Sequence, residues 1–125
     1  MDTTGVTLGS RGREDLCDYV EIAEERGLDS IWVGESYGAA AVPFLTRLLE
    51  HTDSIDVCSG ILNVDARTPA LVAMTANSLA AIDDGRFRLG LGTSSQAVIE
   101  RFHGVDFDRP LKRTREYVEI VRAYQ

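Results

Sequence analysis

Apolar positions along the chain follow two alternating periods. Four short runs, residues 6–9, 30–34, 55–61 and 87–91, are rich in β-branched and aromatic residues and bounded by Gly, Asp or Ser. They predict four strands. The segments between them carry helical spacing. Leu16, Val20, Ala23 and Gly27 fall on one face of a helix over residues 13–26, with Glu14 and Asp15 in its first turn and Gly27 as its stop. A second helix is predicted over 42–50, with Pro43 near its start. A third begins at Thr68-Pro69, an N-cap followed by proline, turns Val72, Thr75, Ala76 and Leu79 inward, and ends before Asp83. The fourth connection reads as two pieces: a short helix over 96–102, a loop, and a helix over 110–124 with Leu111, Thr114, Val118 and Val121 on one face.

Strands alternating with helices imply parallel strands joined by right-handed crossovers. Two architectures fit, a doubly wound open sheet and part of a (β/α)₈ barrel. Four βα units in 125 residues match the density of a barrel, which takes about 250 residues for eight units. The chain reads as one domain over residues 1–125.

Composition narrows the function classes. The net charge is −7, and Lys112 is the only lysine among thirteen basic residues. An acidic surface repels phosphate backbones, so nucleic-acid binding is not expected. The lysine-poor acidic surface points to a high-salt cytoplasm, against the alternative of a mildly acidic mesophile protein. No apolar run approaches the ~20 residues of a membrane span. The N-terminus lacks a signal-peptide pattern, so a cytoplasmic protein is expected. Cys17 and Cys58 fall in a helix and a strand with no CxxC or Cys/His cluster, which predicts two small buried side chains and no metal site.

Chemistry in such folds sits at the carboxyl ends of the strands. Gly9, Ser10 and Arg11 follow the first strand as a polar turn. Glu35 and Ser36 follow the second. A carboxylate there either binds ligand and relays a proton or bonds to neighbouring backbone amides. The third strand ends in Gly60-Ile61-Leu62-Asn63, where a glycine signals a bulge or the close approach of a ligand, or eases helix packing. Arg67 can pair with an anion or lie in solvent. After the fourth strand, Gly90-Leu91-Gly92-Thr93-Ser94-Ser95 leads into a helix. Ser95 occupies the place of the third glycine of a dinucleotide fingerprint, so that motif fails. His51 and His103 lie away from the strand ends and are expected on the surface, which argues against a histidine base.

Gly27-Leu28-Asp29-Ser30-Ile31-Trp32-Val33-Gly34-Glu35, Thr68-Pro69-Ala70 and Asp84-Gly85-Arg86-Phe87-Arg88-Leu89-Gly90-Leu91-Gly92, with Arg113 and Glu116 further on, resemble the N-terminal half of the luciferase-like flavin- or deazaflavin-dependent oxidoreductases. The resemblance implies the barrel, here its first four βα units. It also implies hydride transfer between a deazaflavin coenzyme (F420), or alternatively FMN, and a small organic substrate. Ser59-Gly60-Ile61-Leu62-Asn63 is similar to the deazaflavin branch. There a non-proline cis peptide forms a bulge behind the ring, and the match places it at Gly60–Ile61. The match makes Glu35 the catalytic candidate and Ser36, Gly60, Ile61, Asn63, Thr93 and Ser94 the coenzyme contacts.

Two departures bear on mechanism. Ser36 stands where many relatives have histidine. Gly9-Ser10 and Thr93-Ser94-Ser95 replace carboxylates of the related reductases. The family's phosphate and tail contacts belong largely to the other half of the barrel. The enzymatic reading therefore expects a homodimer or a partner chain that supplies that half. The non-catalytic alternative is a degenerate half barrel that binds flavin weakly or only assembles with another subunit.

Overall fold

The structure, a computed structural model, describes residues 3–8, 16–83 and 85–124; Gly9, Ser10, Arg11, Glu14, Asp15 and Asp84, named above, lie outside them. In order, the elements are β1 (Gly5–Leu8), α1 (Leu16–Glu25), β2 (Ser30–Val33), α2 (Ala41–His51), β3 (Asp56–Ser59), β4 (Leu62–Asn63), a 3₁₀ turn (Val64–Ala66), α3 (Pro69–Ile82), β5 (Phe87–Arg88), β6 (Leu91–Gly92), α4 (Gln96–Val98), a π turn (Ile99–His103) and α5 (Pro110–Tyr124).

The strands pair in parallel in the order β1-β2-β3-β5, and β4 pairs with β6 beyond them. Each new strand joins the same edge of the sheet. A doubly wound sheet reverses direction at a switch point, whereas a barrel adds strands in sequence. The topology therefore selects the half barrel over the open sheet.

The third and fourth runs are each interrupted. Val57 pairs with Phe87 and Cys58 with Arg88; pairing then resumes at Leu62 with Leu91. Three residues, Ser59 to Ile61, thus face two, Leu89 and Gly90, the one-residue surplus of a β-bulge. The Gly60–Ile61 peptide is cis, as the resemblance implied. Gly90 sits hard against the bulge. A Cβ there would lie 2.1 Å from the Ser59 carbonyl oxygen, so only glycine fits. Ser59 is buried, accepting from Gly90 N–H at 2.8 Å and donating to its carbonyl at 3.0 Å.

Strand alternation sends Ile31, Val33 and Val57 outward to the helices. There they meet Leu16 and Val20 of α1, Leu45, Leu48 and Leu49 of α2, and Leu79 of α3 in one core. Thr68 caps α3 as expected, accepting from Leu71 N–H at 3.2 Å. The buried face of α3 includes Ala73 rather than Thr75, whose hydroxyl instead donates to the Leu71 carbonyl at 2.7 Å. In α5 the buried residue is Val121, and Leu111 is 85% exposed, contrary to the helical-face reading. Thr114 and Val118 are half-buried and Val121 buried, as expected, and Arg113 and Tyr117 join them on the inward side, because α5 meets a polar turn at its start and the apolar Val72 and Ala73 of α3 only further along.

Arg86 shows what the Gly-Arg-Phe segment does. Its guanidinium donates to the carbonyls of Leu49, Thr52 and Ile55, to the Thr52 hydroxyl and to Asp83. It thus satisfies the open carbonyls at the end of α2 and ties them to the start of β5. Cys58 is buried and Cys17 half-buried, and both are free. Burial foremost, with Asp56 adding to it and Arg88 opposing, pushes the Cys58 thiol up to about 11, so it stays protonated and inert. No helix among the described residues is long and apolar enough to cross a membrane.

Candidate active site

The carboxyl ends of β1, β2 and β3 open on a cleft of about 280 Å³ lined by Thr7, Leu8, Gly34, Glu35, Ser36, Gly60 and Ile61. Four of the sequence-predicted residues, Glu35, Ser36, Gly60 and Ile61, therefore converge. The cleft has a reason in the sequence. Gly34 and Gly60 carry no side chain, and a Cβ on Gly34 would sit 3.2 Å from the Gly60 carbonyl oxygen. The bulge sets Ile61 against Gly90 and Gly92, and the space that a side chain on Gly60 would need is taken by the Trp32 indole, 3.1 Å from where its Cβ would lie.

Glu35 is bound on every side. Its Oε1 accepts from the Ala41 amide at 3.0 Å, at the first turn of α2, and its Oε2 from the Asn63 amide at 3.5 Å. Arg67 clasps it in a two-pronged ion pair, Nη2 to Oε1 at 2.7 Å and Nη1 to Oε2. The side chains are only 9% and 13% exposed. Burial pushes the Glu35 carboxyl up, but the Arg67 and Ala41 hydrogen bonds, the Arg67 charge and the Asn63 amide outweigh it, and it lies below the usual glutamate range. The group is held ionised. It can orient a ligand and hold the loop, and it has no proton to give at neutral pH.

Asn63, 1% exposed, lies behind this pair. Its Oδ1 accepts from the Asp65 amide at 3.0 Å, and its buried Nδ2 has no partner among the described residues. Thr93 and Ser94 are not among the residues that line the cleft. Thr93 donates to Asp65 Oδ2 at 2.5 Å. Ser95 caps the three-residue α4, accepting from Val98 N–H at 3.4 Å.

Two further residues belong to this region. Arg67 was open between an anion and solvent, and its partner proves to be Glu35. His103, expected on the surface, instead has a buried Nε2 without a partner among the described residues; it lines a second cleft of about 410 Å³ with Glu35, Ser36, Arg67, Leu71 and Phe102. The π turn, which ends at Gly104 with φ 68°, rolls the histidine inward. A period of 3.6 cannot show that rotation. His51 is exposed as expected, 2.7 Å from Glu21.

These features define a class: half of a (β/α)₈ barrel with a cleft at the carboxyl ends of its strands. The chain belongs to the luciferase-like monooxygenase family, which matches residues 2–124. It is 36% identical over 121 residues to a Mycobacterium tuberculosis protein named as a coenzyme F420-dependent oxidoreductase, covering 94% of this chain and 35% of that one. It is 37% identical over 105 residues to the 5,10-methylenetetrahydromethanopterin reductase of Archaeoglobus fulgidus, covering 83% and 31%. The fold matches the coenzyme F420-dependent tetrahydromethanopterin reductase of Methanopyrus kandleri with a TM-score of 0.83 at 22% identity, over 95% of this chain and 39% of that one. The chain thus spans about a third of the length of the curated relatives it matches.

Proposed function

We propose that this half barrel carries the ring-facing end of a coenzyme site in an oxidoreductase that moves a hydride between F420, or alternatively FMN, and a small organic substrate. The observation that carries the reading is the convergence of Glu35, Ser36, Gly60 and Ile61 on one cleft at the strand ends. Its floor of Gly34 and Gly60 backbone, with the Trp32 indole packed on Gly60, suits a flat ring, and the names of the relatives favour deazaflavin. The coenzyme, when bound, supplies the hydride chemistry.

The chain's own residues position and shield. Gly60 and Ile61 would form the surface on which the ring rests. Ser36 offers a hydroxyl that can donate or accept at the cleft wall. Glu35, kept ionised by Arg67, fixes the loop that carries Ser36. Asn63 and Thr93 shape the floor from behind, through Glu35 and Asp65. A second half barrel, from a second copy or another polypeptide, would complete the coenzyme's tail contacts and close the sheet. We place this protein in the cytoplasm, at high salt.

Fluorescence titration of the chain in high salt, with F420 and separately with FMN, tests the proposal. Saturable binding, tighter for F420, is the expected result. Binding of neither, at concentrations where the chain is assembled, overturns it.

A further inference from the structure

The 3₁₀ turn after β4, with Arg67 just past it, ties together residues that follow β2 and β6 and one face of α5. Asp65, with its side chain 3% exposed, holds Thr93 beyond β6 at 2.5 Å and accepts from Arg113 of α5 at 2.7 Å. Two residues on, Arg67 holds Glu35 beyond β2. Its carbonyl accepts from the Tyr117 hydroxyl at 2.7 Å. Burial foremost, with Asp65 adding to it and Arg113 opposing, raises the Tyr117 phenol, which keeps it a neutral donor. Arg113 and Tyr117 are four residues apart, so they stand one above the other on a single face of α5. Neither lines the cleft.

We infer that Arg113 and Tyr117 are positioning residues: α5 clamps the turn at Asp65 and Arg67, and through them sets where Thr93 and Glu35 stand. Two separate chains of contact run from one helix face to two different strand ends. One is Arg113–Asp65–Thr93, and the other is Tyr117–Arg67–Glu35, which continues to the amides of Ala41 and Asn63. Every link is a hydrogen bond or ion pair between part-buried groups, where loss of one partner is costly and the remaining partner moves to find another. The link to coenzyme affinity rests on the ring-site reading above; the coupling itself does not.

The test uses the whole chain and two readouts. Without coenzyme, amide spectra of the ¹⁵N-labelled protein are compared among wild type, Arg113→Ala, Arg113→Lys and Tyr117→Phe. Arg113→Ala should shift the Thr93 and Ser94 amides, with partial recovery in Arg113→Lys, which keeps the charge. Tyr117→Phe should shift Ala41 and Asn63. Changes confined to α5, Asp65 and Arg67 would overturn the inference. With F420, each of Arg113→Ala and Tyr117→Phe should weaken binding about fivefold, the equivalent of one hydrogen bond. In a Thr93→Ala background, Arg113→Ala should cost nothing further, because its route to the cleft is already cut. Additive losses would mean general destabilisation and would overturn the inference. Should the amides shift as stated while wild type binds no coenzyme, the clamp stands and the ring-site reading falls.

Discussion

Arg67 holds both carboxylate oxygens of Glu35 although 32 residues separate them in sequence. The two come together because β2 and the strand formed by β3 and β4 are neighbours in the sheet, so the loop after one meets the turn after the other. The pair is nearly enclosed, and its remaining acceptor capacity takes the amides of Ala41 and Asn63. Such a pair contributes more to where the loop stands than to overall stability, since its desolvation cost offsets much of its attraction.

Removing one partner is a different matter. Arg67→Ala leaves a carboxylate nearly buried and unpaired, and should lower stability by about 3 kcal/mol in urea unfolding. Arg67→Met combined with Glu35→Gln should recover most of it. A double variant as unstable as Arg67→Ala would contradict the pairing.

The Glu35 carboxyl lies below its ordinary value of 4.5, so its contribution has a definite sign. It is fully present above the unfolded-state value and is lost as pH falls through the lowered folded value. The thermal midpoint of wild type relative to Glu35→Gln should be constant above about pH 5.5 and shrink towards acid. A difference that grows on acidification would show that Glu35 is not held ionised.

Arg86 makes a prediction about the fold rather than the site. Its five partners span the end of α2, Asp83 and the strand that follows. A lysine offers a point charge in place of that planar fork. Arg86→Lys should therefore lose about 2 kcal/mol, and Arg86→Ala more, with coenzyme affinity unchanged in the fraction that folds. Loss of affinity without loss of stability would place Arg86 in the ligand site instead.

Trp32, the sole tryptophan, lies on β2 between Ile31 and Val33, which face the helices. It therefore points to the inner face of the sheet, where it is 38% exposed and donates to Ser30 Oγ at 2.9 Å. When a second half barrel closes over that face, its emission should shift to the blue, in step with the doubling of mass in sedimentation. Association with unchanged emission would mean that the chain pairs through another surface.

The elements were legible wherever a local signal decides them. Thr68-Pro69 announces the start of α3, and Pro110 the start of α5, because capping and proline chemistry act within one turn. Gly60 alone left a bulge, a ligand's approach and eased packing open, and the resemblance placed the bulge there. What stayed hidden depends on partners far along the chain. Nothing near Arg67 announces Glu35, and nothing near Asp65 announces Thr93 and Arg113. Leu111 fitted the helical period, yet it faces solvent because the first turn of α5 sets Arg113, not Leu111, against the rest of the fold. His103 was misplaced by a π turn.

If the proposed function holds, the coenzyme ring sits in the cleft at the bulge. Amide spectra of the labelled chain titrated with F420 test that most directly. The largest shifts should fall at Gly34, Glu35, Ser36, Gly60 and Ile61, and Ile61→Glu should abolish them. Shifts centred elsewhere, or unaltered by Ile61→Glu, would contradict it.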